Sequence, residues 1–167
     1  MIHTIKEFND YWITESDRTQ KLLNVLTDLS LNQPVINDHR TLGRIAWHIV
    51  LSIPEMMNRT GLNIDILKNY SSMPKSAKEI KDIYYKISKN LIEQINEKWN
   101  DDTLNDEDKM YGQKWKKGYA LFVLICHQTH HRGQMTILMR QAGLNVPGIY
   151  GPSKEEWYKF GMAEPEV

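Results

Sequence analysis

Residues 118–143 read GYALFVLICHQTHHRGQMTILMRQAG. Leu124, His127, His131, Met135, Leu138 and Ala142 recur in this stretch at steps of three and four, the period of one helix face. Leu121, Phe122, Val123, Leu124 and Ile125 are consecutive, so a second face is apolar as well. The pattern predicts a helix over residues 118–142, stopped by Gly143. A helix apolar on more than one side lies at the centre of a bundle, or has its outer face covered by another subunit.

Three more helices follow from the sequence outside this stretch. In residues 5–29, Ile5, Phe8, Trp12, Leu22, Val25, Leu26 and Leu29 keep helical spacing, weakened by the polar residues 14–17 and ended by residues 32–34. Thr41 is a candidate N-cap for a second helix carrying Leu42, Ile45, Ile49 and Met56, with Trp47 beside them. Pro54 predicts a kink there, and Gly61 a stop. The connection up to Lys75 has room for a short helical turn over residues 64–68. Ser76 and Glu79 fit a capping box ahead of Ile80, Ile83, Tyr84, Ile87, Leu91, Ile95 and Trp99. Residues 101–117 read as a polar crossover or lid, and their acidic run 105–108 as a solvated loop lacking calcium-loop spacing. A turn-rich tail leads to a short helix over residues 153–160, and no segment of any length has strand period. The prediction is an all-α four-helix bundle with long inter-helix connections and a short C-terminal helix, one domain over residues 1–167.

Bulk properties narrow the function classes. Twenty-one basic residues balance 21 acidic ones, which gives no support to nucleic acid as a partner, since phosphate neutralisation dominates such binding. A single cysteine makes no internal disulfide. The first residues lack an apolar signal core, and no run approaches the ~18 apolar residues of a membrane span. The expectation is a soluble cytoplasmic protein with no membrane partner.

The histidines carry the candidate chemistry. On a helix, His127 and His131 sit about 40° apart around the axis, with Cβ atoms about 5–6 Å apart, close enough to share an ion. His130 is also paired with His127, at three residues, but diverges from His131 by about 100°, so geometry leaves His130 and His131 as rivals. Such a pair is also what two hydrogen-bonded core histidines look like. His48 is the remaining histidine in the middle of a predicted helix, on a face with Ile45, Ile49 and Met56, and makes a third candidate ligand. Three imidazoles suit a divalent ion and leave a coordination position open for a water or a substrate thiolate. Glu55, seven residues after His48, and Gln134, one turn beyond His130 and His131, are candidates to orient a ligand. Cys126 points away from His127 and reads as a buried, inert thiol. Arg132 suits an end-of-bundle salt bridge or a subunit contact, and His3 and His39 the surface.

Residues 41–49, TLGRIAWHI, and 127–134, HQTHHRGQ, together resemble the DinB-like family of metal-binding four-helix bundles. That family is related to thiol-dependent S-transferases and to mycothiol-dependent maleylpyruvate isomerase. The second segment fits its HxxxHRGQ pattern, residues 138–143 fit as well, and the similarity spans most of the chain. The resemblance implies that His48, His127 and His131 bind a divalent metal such as nickel or zinc, which selects His131 over His130. It also implies a homodimer and, as the activity, activation of a low-molecular-weight thiol for S-transfer. A hydrolase using a bound hydroxide and a non-enzymatic stress-related metal-binding protein are the alternatives.

Overall fold

The computed structural model describes residues 1–65 and 72–166. Four helices carry the fold: α1 (Ile5–Val25), α2 (Leu42–Met57), α3 (Ala77–Lys98) and α4 (Lys117–Gln141). They pack as a bundle in the cyclic order α1, α3, α2, α4, each against two neighbours. The all-α four-helix bundle expected from the periodicity is the observed architecture. No helix among the described residues is long and apolar enough to cross a membrane.

Local chemistry sets the helix starts. The Thr4 hydroxyl accepts from the Glu7 amide, that of Thr41 from Arg44 and that of Ser76 from Glu79. Each side chain satisfies one of the donors that a helix leaves unpaired at its first turn. The inward faces then bury Phe8, Trp12, Leu22, Leu42, Ile49, Ile53, Ile80, Ile87, Leu91, Leu121, Leu124 and Met135 completely. Full burial of a side chain of this size is worth about 1.5–3 kcal/mol. At the first turn of α4 the backbones close in: a Cβ on Gly118 would lie 2.4 Å from the Ile2 carbonyl oxygen.

Several expectations are corrected. α1 stops at Val25, four residues short of Leu29, because Thr27 and Ser30 bond each other's backbones instead (Thr27 N to Ser30 Oγ 2.9 Å, Ser30 N to Thr27 Oγ1 3.1 Å). Hydroxyls of this kind compete with helical hydrogen bonds, and Leu29 is left 83% exposed. Residues 101–117, expected as a polar crossover or lid in a chain without strand period, contain strands. They form a short 3-10 helix (Asp102–Asn105) and an antiparallel hairpin, β1 (Glu107–Met110) paired with β2 (Gln113–Lys116). Tyr111 and Gly112 turn it with φ of 49° and 82°, two left-handed residues that match the twist of the strands. The acidic run is therefore partly paired: Asp106 and Asp108 each lie 3.5 Å from Lys117 Nζ. The short C-terminal helix expected over residues 153–160 is present, as a 3-10 helix (Lys154–Phe160) tied to α4 by the Arg140–Glu155 ion pair. Cys126, expected to be buried, is exposed on an outer face of α4.

α2 runs through Pro54 for another turn before a 3-10 turn ends at Gly61, whose φ is 85°. Of the short helix expected over residues 64–68, Ile64 and Asp65 are in irregular backbone and the rest lies outside the described residues.

Candidate metal centre

His48 projects from the middle of α2, and His127 and His131 from adjacent turns of α4, the helix packed against it. The structure brings these three together. Nε2 of His127 lies 3.3 Å from Nε2 of His48 and 3.2 Å from Nε2 of His131. One ligand-capable nitrogen from each ring lies within 4.8 Å of the other two.

Protonation favours free lone pairs. Burial, with the neighbouring His131 and the cations Arg40 and Arg44, lowers the pKa of His48. Burial and the adjacent histidines push His127 down to about 4. The pKa of His131 is lowered by burial, against the opposing effect of its hydrogen bond to Gln134. Near pH 7 all three rings are neutral, the state in which imidazole binds a metal. The His131 tautomer follows from its partner: its Nδ1 lies 2.7 Å from Gln134 Oε1, which only accepts, so Nδ1 carries the proton and Nε2 is bare. Gln134 Nε2 in turn faces His130 Nε2 at 3.0 Å. His130 is exposed and outside the convergence, bonded to Gln134 and packed edge-on against the His131 ring with centroids 4.9 Å apart.

A ring proton on His127 Nε2 can bridge only one of its two close neighbours, leaving the other nitrogen facing it unpaired. A cation at the centre relieves that conflict. A tetrahedral ion with metal–nitrogen bonds of about 2.0–2.1 Å spaces its ligands about 3.3 Å apart. The two Nε2 separations match that edge.

Other residues hold the two helices in register. Gln128, beside His127, is buried; its Nε2 donates to the Ile49 carbonyl (2.9 Å) and to Ser52 Oγ (3.0 Å), and its Oε1 accepts from Tyr84 Oη (3.3 Å). Burial drives the Tyr84 pKa far above its ordinary value, so the hydroxyl stays a donor. Arg132 is neither at the end of the bundle nor at its surface, contrary to expectation. It is 2% exposed and ion-paired with Glu15 of α1, and it donates to the Glu15 carbonyl (2.7 Å) and to the hydroxyls of Thr19 and Thr129 (2.9 Å each). The Tyr150 hydroxyl donates to the same carboxylate at 2.6 Å. Burial opposes ionisation of Glu15, yet Tyr150, Arg132 and Arg18 outweigh it and hold the carboxyl below its ordinary pKa.

Gln128 and Glu15 were missed in the sequence. Glu15 had a signal: Trp12, Glu15, Thr19 and Leu22 keep one helical face, with polar residues in two apolar slots. Glu55 does not bond the histidines. It is exposed, paired with Arg59 at 3.1 Å, and accepts from Tyr111 at the hairpin tip. His3 and His39 are on the surface, as expected.

The fold and site define a class: helical bundles in which histidines from two packed helices converge in the interior. Residues 1–166 match the DinB family, and the chain belongs to it. It is 47% identical over 167 residues, the full length of both chains, to uncharacterized protein YrdA of Bacillus subtilis strain 168. It superposes on a crystallised DinB-like protein from Bacillus cereus with a TM-score of 0.85 at 46% identity, covering 90% of this chain and 100% of that one. A second DinB-like protein, YjoA of Bacillus subtilis, has a TM-score of 0.69 at 13% identity, over 88% of this chain and 99% of that one, and shares the fold alone.

Proposed function

We propose that His48, His127 and His131 hold a divalent ion, nickel or zinc, and that the protein is a metal-dependent enzyme activating a low-molecular-weight thiol for transfer to an electrophile. The observation that carries the metal assignment is the convergence of three imidazoles with Nε2 separations of 3.2 and 3.3 Å, which match the edge length of a tetrahedral site. When bound, the ion would act as a Lewis acid that keeps a coordinated thiol deprotonated near neutral pH. Three protein ligands leave the position such a thiol would need.

The chain's own residues do the rest. Gln134 fixes the His131 tautomer, and Gln128 fixes the height of His127 relative to His48. The thiol proton leaves to solvent, sulfur forms the new bond to the electrophilic carbon, and the leaving group departs with its electron pair. The exposed stripe of Tyr119, Phe122, Cys126 and Ile137 along α4 supports a homodimer formed on that face.

Elemental analysis of tag-free protein tests the metal assignment. One ion per chain is expected, and its loss in His48→Ala; equal metal content in the two would overturn it. Conjugation of a thiol to a test electrophile by the loaded protein tests the reaction. Absence of turnover with every cellular thiol refutes it, and turnover without thiol favours hydrolysis.

A further inference from the structure

A cavity of about 210 Å³ opens beside the histidine cluster, lined by His48, Arg40 and Arg44. Among the described residues Trp47, Leu51, Ser72 and Met73 also line it. At about 30 Å³ per water, this volume holds about seven waters, room for a small molecule and not for a polymer.

The two arginines stand where cations are disfavoured. Arg44 lies in the first turn of α2 and Arg40 just before its Thr41 cap, at the positive end of the helix. That turn carries no acidic residue, and among the described residues neither guanidinium has a carboxylate partner. Solvation alone accounts for a single exposed arginine. It does not account for two arginines lining one cavity with an inward histidine, where their charges repel each other and add to the helix end. An anion in the cavity answers all three positive contributions, and a guanidinium matches a carboxylate through paired N–H donors.

We infer that this cavity is the anion subsite of the same centre: Arg40 and Arg44 hold a carboxylate of a small anionic thiol whose sulfur reaches the cluster of His48, His127 and His131. The inference rests on the thiol reading for the sulfur only; the anion contact stands on the arginines and the cavity.

The test uses cobalt-loaded protein and two thiols, mercaptosuccinate and the neutral 2-mercaptoethanol, titrated by their sulfur-to-cobalt charge-transfer absorption. Arg40→Gln, Arg44→Gln and the double variant change exposed side chains. Mercaptosuccinate should bind the parent at least about tenfold more tightly than 2-mercaptoethanol. Each substitution should weaken it about five- to tenfold, less than a fully buried charge-assisted bond because both arginines are open to water. Affinity for 2-mercaptoethanol should stay unchanged. Equal affinities for the two thiols, or a preference that survives in the double variant, would overturn the inference while leaving the thiol reading intact. If neither thiol gives the absorption band, the thiol reading fails, and calorimetry with succinate decides the subsite. Succinate binding lost in the double variant upholds it; binding absent from the parent or unchanged in the variant overturns it. Inorganic phosphate binding more tightly than succinate would overturn the assignment to a carboxylate.

Discussion

Glu15→Gln keeps the size of the side chain and removes its charge, leaving the Arg132 guanidinium buried without its counter-ion. The two side chains are 9% and 2% exposed. Removing one partner of a buried pair costs about 3–5 kcal/mol. Here the lower end applies, because the Glu15 carbonyl, Thr19 and Thr129 still accept from Arg132. About 3 kcal/mol, at about 2–4 °C per kcal/mol for a chain of this length, lowers Tm by about 6–12 °C. Circular dichroism melts at equal metal content measure it. The pH dependence has a definite sign. The folded pKa of Glu15 is depressed, so its contribution is complete above the ordinary carboxylate range and is lost as pH falls through the folded value. Parent and Glu15→Gln melting curves should therefore stay apart at neutral pH and converge in acid. Replacing both partners by leucine should recover much of the loss, since well-packed hydrophobes often match a buried pair. A neutral-pH shift below about 2 °C, less than 1 kcal/mol on the same scale, or a gap that does not narrow in acid, would refute the reasoning.

Gln134→Ala should weaken metal binding about 10–100-fold, the usual effect of removing a group that orients a ligating histidine, with Tm of the metal-free protein nearly unchanged. Competition with a chromogenic chelator reads this, and His130→Ala, which removes a ring that packs edge-on against His131 but leaves its bond to Gln134 Oε1, should shift the same titration less. Gly118→Ala puts a methyl 2.4 Å from the Ile2 carbonyl oxygen, so the N-terminal segment must move; amide exchange in the first turn of α1 should quicken while that in α3 stays slow. Phe122→Asp adds a charge to the exposed α4 stripe and should turn a dimer into monomers in sedimentation; an unchanged sedimentation coefficient for a dimeric parent would remove that face as the interface.

The helices were legible because burial and periodicity coincide: Ile80, Ile83, Tyr84, Ile87, Leu91 and Ile95 in α3 are all buried. Where side chains compete for the backbone, periodicity misleads, as at Thr27 and Ser30, where the spacing continues to Leu29 but the helix does not. The hairpin was hidden for another reason. Its eight strand residues contain one fully buried side chain, Met110, and three of them are lysine. His48 and His127 were legible because each falls on an apolar helix face, whereas spacing left His130 and His131 as rivals and only the resemblance to the family pattern selected His131. The residues that align those faces were not legible, because Glu15, Thr19 and Gln128 occupy core positions and carry no apolar signal.

Those polar residues answer a problem that apolar packing leaves open. Sliding one helix by a turn moves its side chains about 5.4 Å along the axis, more than the 3.3 Å between His48 and His127, while exchanging leucine and isoleucine contacts for similar ones. Apolar area is non-directional and distinguishes such registers weakly. Hydrogen bonds distinguish them sharply, since a buried group that loses its partner costs about 1–3 kcal/mol. α4 is fixed to α2 and α3 through Gln128 and to α1 through Arg132, the two residues that flank the His127–His131 turn on its inner sides. Any register that separates the histidines also strands the Gln128 amide, the Tyr84 hydroxyl and the Arg132 charge. The geometry of the three-histidine cluster is thus enforced by bonds to side chains that are not themselves candidate ligands.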